Sequence, residues 1–321
     1  MSLKTLNRRR FVGLLAGTLL FAACGADPDT SKPATTEPAV AETTTPADTV
    51  AEEPADAKEM AGERIVSLSA TATEILYALG AQDQIVAVDN YSNYPQAAAD
   101  FATKIDAFEP SVEAIAELDP TVVLLAFDSG NLQDQLEVLN IEVWFGAPAM
   151  TLDDSYVQIT QLGDLTGKAA EADELVSTMK SEIDGIVTSL ELPDAPVSYY
   201  YELDNTYFSV TSNTFIGQLM SKFMLQNIAD TAESGNDYPQ LSAEAIISSN
   251  PQMIFLADTK CCEQTAATVS ARAGWGVIDA VANDNVVELD DDIASRWGPR
   301  VVDLVKVVAE AVTKFVTAAK G

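Results

Sequence analysis

The sequence predicts an α/β fold: two Rossmann-like lobes, each built on a mostly parallel sheet, joined by a single long α-helix. Three observations predict it. Short apolar runs such as Ile65–Leu68, Ile85–Val88 and Val122–Leu125 alternate with helical stretches, the pattern of helix-connected strands in a parallel sheet. One unit recurs at a spacing of 131 residues: Glu113-Ala114-Ile115, Pro120 and Leu125-Ala126 match Glu244-Ala245-Ile246, Pro251 and Leu256-Ala257 at equal offsets. Between the copies, Leu175, Met179, Ile183, Ile186 and Leu190 follow one another at three- and four-residue steps, giving a helix with one apolar face.

In chain order, Ile65–Leu68 reads as a buried strand, and Thr71 with Glu74 opens a helix that stops at Gly80. Ile85–Val88 is the next strand, followed by the polar-aromatic loop 89–94 and a helix started by Pro95. The first copy of the unit supplies helix 111–118 and strand 121–126, and helix 131–139 with strand 141–145 completes the first lobe, residues 64–168. The joining helix, 169–192, spans roughly 33 Å at 1.5 Å per residue over its 22 periodic positions. The second lobe, 193–321, opens with strand 197–202, to which 207–210 is expected to pair, and continues with helix 214–225 capped by Thr214. The second copy gives helix 242–249 and strand 252–257. Helix 275–282, strand 286–289 and a closing helix from Pro299 to Ala319 finish the chain.

Residues 1–24 read as an export signal, with Lys4 and Arg8-Arg9-Arg10 before an apolar run from Phe11 to Phe21. The string Asn7-Arg8-Arg9-Arg10-Phe11-Val12 is similar to a twin-arginine signal. Small residues before Cys24 resemble a lipobox, whose cysteine is acylated after cleavage; an ordinary signal peptide with an incidental cysteine is the other reading. Either places the mature protein outside the cytoplasmic membrane, held by a lipid anchor in the first case. Residues 25–63 are rich in Thr, Pro, Ala and Glu, lack the apolar side chains to form a core, and read as a disordered tether reaching on the order of 100 Å.

The chain of 321 residues carries 49 acidic and 18 basic side chains and no histidine. From Arg64 onward 39 acidic and 12 basic residues remain, once the 10 and 2 of the tether and the 4 bases of the signal are set aside. Such a charge repels nucleic acid and anionic lipid surfaces. Absence of histidine removes the commonest general base and metal ligand. Cys261 and Cys262 are adjacent, with Cα atoms about 3.8 Å apart, closer than the usual disulfide range. A free pair and a vicinal disulfide stiffening the loop both stay open.

Ligands of open parallel sheets sit beyond the carboxyl ends of the strands. The loops there hold Tyr91, Tyr94, Phe108, Phe127, Tyr207 and Trp297, and an aromatic-lined cleft between lobes suits a large, partly apolar ligand. No Ser-His or Cys-His pair, Gly-rich phosphate loop or Gly-x-Ser-x-Gly turn is present. A secreted enzyme working through Asp or Glu is the competing class, and a sensory or adhesive lipoprotein is another. Glu113 and Glu244 stand in the first turns of their helices, where the macrodipole alone favours a carboxylate. As a matched pair they also suit docking on a two-fold partner. Strand ends aimed at the cleft and helix starts aimed at a partner would then be opposite ends of one duplicated unit.

From Arg64 to the C-terminus the chain resembles the periplasmic binding proteins of ABC importers for cobalamin and ferric siderophores. The stretches that carry the likeness are Arg64 to Glu74, Tyr91-Ser92-Asn93-Tyr94-Pro95, Pro110-Ser111-Val112-Glu113 and Ser295-Arg296-Trp297-Gly298-Pro299-Arg300. The resemblance implies a monomer with ligand clamped between its lobes, and glutamates at Glu113 and Glu244 docking on arginines of a permease dimer that works with its ATPase. It places Tyr91, Phe108 and the segment Asp292, Ile293, Ala294, Ser295, Arg296 at the ligand; Phe108 departs from the tryptophan usual in that family. Catecholate siderophores are polyanions that call for clustered Arg or Lys, and these loops offer little beyond Lys260 and Arg296. The ligand expected is therefore a neutral or cationic metal chelate, cobalamin first, with a ferric hydroxamate siderophore or haem as alternatives. Neither a resident metal nor a cofactor is expected.

Overall fold

A computed structural model describes residues 62–232 and 235–320. The export signal, Cys24 and the tether up to residue 61 lie outside the described residues.

The first lobe runs β1 (Ile65–Leu68), α1 (Ala70–Ala78), β2 (Ile85–Asp89), α2 (Gln96–Ala99), β3 (Lys104–Ile105), α3 (Val112–Ala116), β4 (Val122–Leu125), α4 (Leu132–Val138) and β5 (Glu142–Phe145). Its five strands are all parallel, in the order β3-β2-β1-β4-β5. Every residue of β1 and β4 is buried, as expected of central strands covered on both faces. Ser69 caps α1 by accepting from the Ala72 amide, and Gly80 takes the left-handed conformation (φ 70°) that ends it.

Two helices, α5 (Leu152–Leu165) and α6 (Ala169–Ser189), lie in chain order between the two sheets. Helix α6 buries Ala172, Met179 and Ile183 in a core shared by both lobes, with Leu175, Val176, Ile186 and Val187 packed at its margin. It stops at Ser189 because Leu190 turns extended (ψ 137°) ahead of Pro193.

The second lobe comprises β6 (Val197–Glu202), α7 (Phe215–Ser221), β7 (Leu225–Asn227), α8 (Ala243–Ser249), β8 (Met253–Leu256), α9 (Ala266–Ser270), α10 (Asp279–Ala282), β9 (Val286–Glu288), α11 (Asp291–Ala294) and α12 (Val301–Ala319). The strand order is β7-β6-β8-β9, again all parallel. Helix α12 sends Val305, Val308, Val312 and Val316 into the core and packs along α6.

The duplicated unit is the same in structure as in sequence. Ser111 and Ser242 cap α3 and α8 by accepting from the amides three residues on, Ile115 and Ile246 are each fully buried, and β4 and β8 are buried throughout.

Four expectations are corrected. Thr71 and Glu74 do not open α1 as a capping pair: Ser69 is the cap, Thr71 lies inside the helix, and the Glu74 carboxylate accepts from Arg296 and Arg300. Residues 207–210 form no strand: Tyr207 has φ 70°, and only an isolated antiparallel bridge joins Phe208 to Gln240. The strand beside β6 is instead β7, which follows Met224 in the left-handed conformation (φ 59°), so the helix from Thr214 ends at Ser221 rather than at 225. The helix expected over 275–282 is split where Ile278 is extended, into a single 3₁₀ turn and α10. The adjacent cysteines are joined as a disulfide, which resolves the alternative left open above.

Candidate functional site

Strand order reverses between β1 and β4 in the first sheet and between β6 and β8 in the second. Crevices at such points are where ligands of open parallel sheets settle.

Loops from the first sheet bring three aromatic rings together. Phe108 stacks on Phe127 at a centroid distance of 4.9 Å, and Tyr91 meets Phe108 edge-on at 5.2 Å. They are 55%, 38% and 52% exposed for Phe108, Phe127 and Tyr91, so an apolar surface stands open to a ligand instead of closing a core. The backbone beneath is held firmly. Asp106 accepts from the amides of Phe108 (2.8 Å) and Glu109 (3.3 Å), and the Ser129 hydroxyl donates to the Phe108 carbonyl. Asp89, buried at the end of β2, accepts from the Tyr91 amide and from Ser92 Oγ; burial outweighs these bonds and holds its carboxyl above the usual range.

The opposite wall is built on the segment from Asp290 to Arg300. Asp290 caps α11 by accepting from the amides of Asp292 and Ile293. Arg296, only 8% exposed, reaches across to the first lobe: it donates to Glu74 Oε1 (2.6 Å), Asn93 Oδ1 (2.9 Å) and the Tyr91 carbonyl (2.9 Å), and to Asp292 (2.8 Å) in its own segment. Arg300 donates to both oxygens of Glu74, to Oε2 at 2.9 Å and to the Oε1 that Arg296 also holds, and lies over the Tyr94 ring at 4.1 Å. Trp297 Nε1 donates to Gln158 (2.8 Å), and its carbonyl accepts from Ser155. Lys260 pairs with Asp290 (2.7 Å) and Asp292 (2.6 Å). Burial alone would raise Asp292, but Lys260 and Arg296 outweigh it and hold the carboxyl below its ordinary value.

Against the second of these walls lies a cavity of about 340 Å³, lined by the second lobe and the 148–149 crossing, whose lining is mostly apolar and includes Ala149, Leu203, Phe215, Tyr238, Cys261 and Trp297. Ala294, Ser295 and Arg296 also line it. The residues singled out in the sequence therefore divide into three groups. Tyr91, Phe108 and Phe127 form the aromatic surface, while Ala294, Ser295, Arg296 and Trp297 form the cavity wall. Asp292 and Ile293 sit behind that wall, one in the ion-pair network and the other packed on the core. Tyr207 is not brought to the cavity; its ring packs on Trp275 at 5.7 Å within the second lobe's own core. Glu113 and Glu244 are both exposed in the first turns of α3 and α8.

The cavity also contains residues that the sequence did not single out. Ala149 belongs to the crossing between lobes, and Phe215 is the first residue of α7, so neither follows a strand directly. Tyr238 had a readable signal, an aromatic immediately before Pro239 and shortly upstream of the second copy of the unit. Cys261 lies in the loop after β8, and a cysteine there carries no signal of a cavity-lining role in the sequence.

A family model described as periplasmic binding protein matches residues 65–293. The chain belongs to this family. Among curated relatives of this periplasmic binding protein, an uncharacterized ABC transporter substrate-binding lipoprotein of Bacillus subtilis, YvrC, is 29% identical over 258 residues, covering 78% of this chain and 80% of the relative. A cobalamin-binding protein of Halobacterium salinarum is also 29% identical over 258 residues, covering 78% and 69%. The crystal structure of the periplasmic vitamin B12 binding protein BtuF of Vibrio cholerae superposes with a TM-score of 0.65 at 26% identity, covering 78% of this chain and 96% of that one.

Proposed function

We propose that this protein is the extracytoplasmic solute-binding lipoprotein of an ABC importer, capturing a large metal chelate between its lobes, a corrinoid such as cobalamin before a ferric hydroxamate siderophore or haem. It binds and hands over its ligand without chemical turnover, and works as a monomer with a permease dimer and its ATPase.

The state of the cations at the cleft carries the ligand assignment. Arg296, Arg300 and Lys260 are each committed to carboxylates, Arg296 with two further carbonyl-type acceptors. A polyanionic ligand would have to strip these pairs, whereas a neutral or cationic chelate leaves them whole and meets the rings of Tyr91, Phe108 and Phe127. Arg296 lines the cavity and also bonds to the Tyr91 backbone, so one side chain links the cavity to the loop that carries the rings, which supports a ligand larger than the cavity alone. Printed names of relatives that bind cobalamin support the same choice.

Titration of tryptophan fluorescence with cyanocobalamin, ferrichrome-type and catecholate siderophores and haemin tests the reading. Cyanocobalamin is expected to bind most tightly; binding by none of them sinks it. Delivery is tested by the charge reversals Glu113→Lys and Glu244→Lys together, which should abolish uptake in cells while leaving affinity unchanged. Cleavage and acylation at Cys24 are checked by the mass of the mature N-terminal peptide and its loss in Cys24→Ser.

A further inference from the structure

Beneath the second-lobe wall of the cleft, at the point where strand order reverses, two carboxyl groups face a single cation. Glu202 ends β6 and is fully buried; Arg272 grips both of its oxygens at 2.7 and 2.5 Å and gives a third bond to Gln264 at 2.7 Å. The guanidinium is fixed further by Trp275, whose ring lies 4.5 Å beneath it, and by Tyr207 at 5.4 Å. Asp258, immediately beyond β8, is equally buried, yet neither carboxyl oxygen has a hydrogen-bond partner.

Such a group needs an explanation, since buried polar atoms are almost always paired. A carboxylate has only acceptors to offer, and Glu202 opposite is also an acceptor. No donor of Arg272 is bonded to Asp258, so the pair as two anions would keep one uncompensated charge in the interior. A proton on Asp258 changes both facts at once: it removes the charge and supplies the missing donor toward Glu202. The charged and titratable groups facing Asp258 are Glu202 and Tyr200 from β6, Arg272 from the segment after α9, and Asp291 from α11. Of these only Arg272 is a cation. Burial first and Glu202 second push the Asp258 carboxyl up to about 7.

Asp258 also roots the loop that forms part of the cleft. Its carbonyl accepts from the amides of Cys262 and Gln264, each at 3.3 Å. Asp291 holds the same loop from the other side, accepting from Thr259 Oγ1 (2.9 Å) and from the amides of Lys260 (3.0 Å) and Cys261 (2.8 Å). Cys261 faces the cavity, and the disulfide to Cys262 makes these two positions move together.

We propose that Asp258 and Glu202 hold one proton between them under the Thr259–Gln264 loop, and that loss of this proton shifts the loop and weakens ligand capture. The proton rests on the buried pair alone; its effect on capture rests on the cleft being the binding site proposed above. With half-titration near 7, the protonated fraction falls from about 0.9 at pH 6 to about 0.1 at pH 8, so apparent affinity falls by up to roughly tenfold if only the protonated form is competent.

Three measurements separate the parts. Infrared difference spectroscopy of the folded protein should show a protonated carboxylic C=O band at pH 6 that bleaches by pH 8.5 and is missing in Asp258→Asn; no such band overturns the shared proton. Cyanocobalamin titrations should weaken between pH 6 and 8 for wild type but stay at the pH 6 affinity for Asp258→Asn, where the amide mimics the neutral acid; parallel pH profiles overturn the coupling. If cyanocobalamin binds neither protein at any pH, the ligand assignment has failed and the proposal is judged on the loop. Amide exchange at residues 259–264, taken as the ratio of wild type to Asp258→Asn, then rises with pH if the latch is real and stays constant if it is not.

Discussion

Replacing Glu74 by Gln removes an anion that the buried Arg296 and the half-buried Arg300 share across the cleft. Glu74 is 3% exposed; Arg296 bonds Oε1 at 2.6 Å, while Arg300 spans both oxygens, reaching Oε2 at 2.9 Å and sharing Oε1 with Arg296. Removing one member of a buried pair destabilises by about 3–5 kcal/mol, mostly because the remaining charge stays desolvated without compensation. Here the lower end applies. Arg296 keeps Asp292, Asn93 and the Tyr91 carbonyl, and Arg300 keeps the face of Tyr94. A loss of about 3 kcal/mol corresponds to a fall in Tm of roughly 6–12 °C for a unit of this size. Differential scanning calorimetry reads it, with agreement of calorimetric and van't Hoff enthalpies as the check on a single transition. The double variant Glu74→Gln/Arg300→Gln should be milder than the sum of its parts by about 1 kcal/mol or more, since one stranded guanidinium has gone with its partner. A fall of under about 2 °C in the single variant, or strict additivity in the double, would refute the view that this triad ties the lobes.

Phe108→Ala removes an exposed ring and should leave Tm nearly unchanged while weakening cyanocobalamin by roughly 10- to 100-fold, from about 1.5–3 kcal/mol of lost aromatic burial; unchanged affinity in the fluorescence titration would place the ligand off this surface. Gly217→Ala should destabilise by about 1–3 kcal/mol on calorimetry, because its Cβ would overlap the carbonyl oxygen of Thr211 and that neighbour is backbone. Asp258 reads out in stability as well as in binding. Burial and Glu202 push its carboxyl from 3.8 up to about 7 on folding, so the contribution of this group is fully present below the first value, is lost as pH rises between the two, and falls no further above the second. Asp258→Asn should therefore match wild type near pH 4 and exceed it at pH 8 by on the order of 2–4 kcal/mol, measured by urea unfolding; an equal gap at both pH values excludes the shift.

Much of the architecture was legible because central parallel strands are buried on both faces. Ile65–Leu68, Val122–Leu125 and Met253–Leu256 read as unbroken apolar runs for that reason. The periodicity of α6 was equally plain, since one face alone meets the core. What escaped was the edge and the turn. Strand β7 is three residues with an exposed Gln226 at its centre, too short to show alternation, and its start depends on a left-handed Met224 that no pattern announces. Helix α11 begins with Asp290-Asp291-Asp292, which reads as a solvated turn until the Asp290 side chain is seen capping it. Among the strand-end loops, the aromatic residues Tyr91, Phe108 and Phe127 come together as one exposed surface. Position after a strand misplaced Tyr207, whose positive φ turns it toward Trp275. The bonds of Arg296 to the first lobe escape a reading of the sequence because they join residues over 200 positions apart.

The duplicated unit has a directional consequence. Strands β3 and β4 are both parallel members of one sheet, as are β7 and β8 of the other, so the connecting helices α3 and α8 must run back against the strands. Each helix therefore begins at the edge where the strands end. Glu113 and the ring of Phe127 consequently share the carboxyl edge of the first sheet, and Glu244 and the Cys261 loop share that of the second, contrary to the placement at opposite ends read from the sequence. A partner that seats itself on the two glutamates would meet the protein on the side that carries the proposed ligand surface, with no need for the cargo to pass through either lobe.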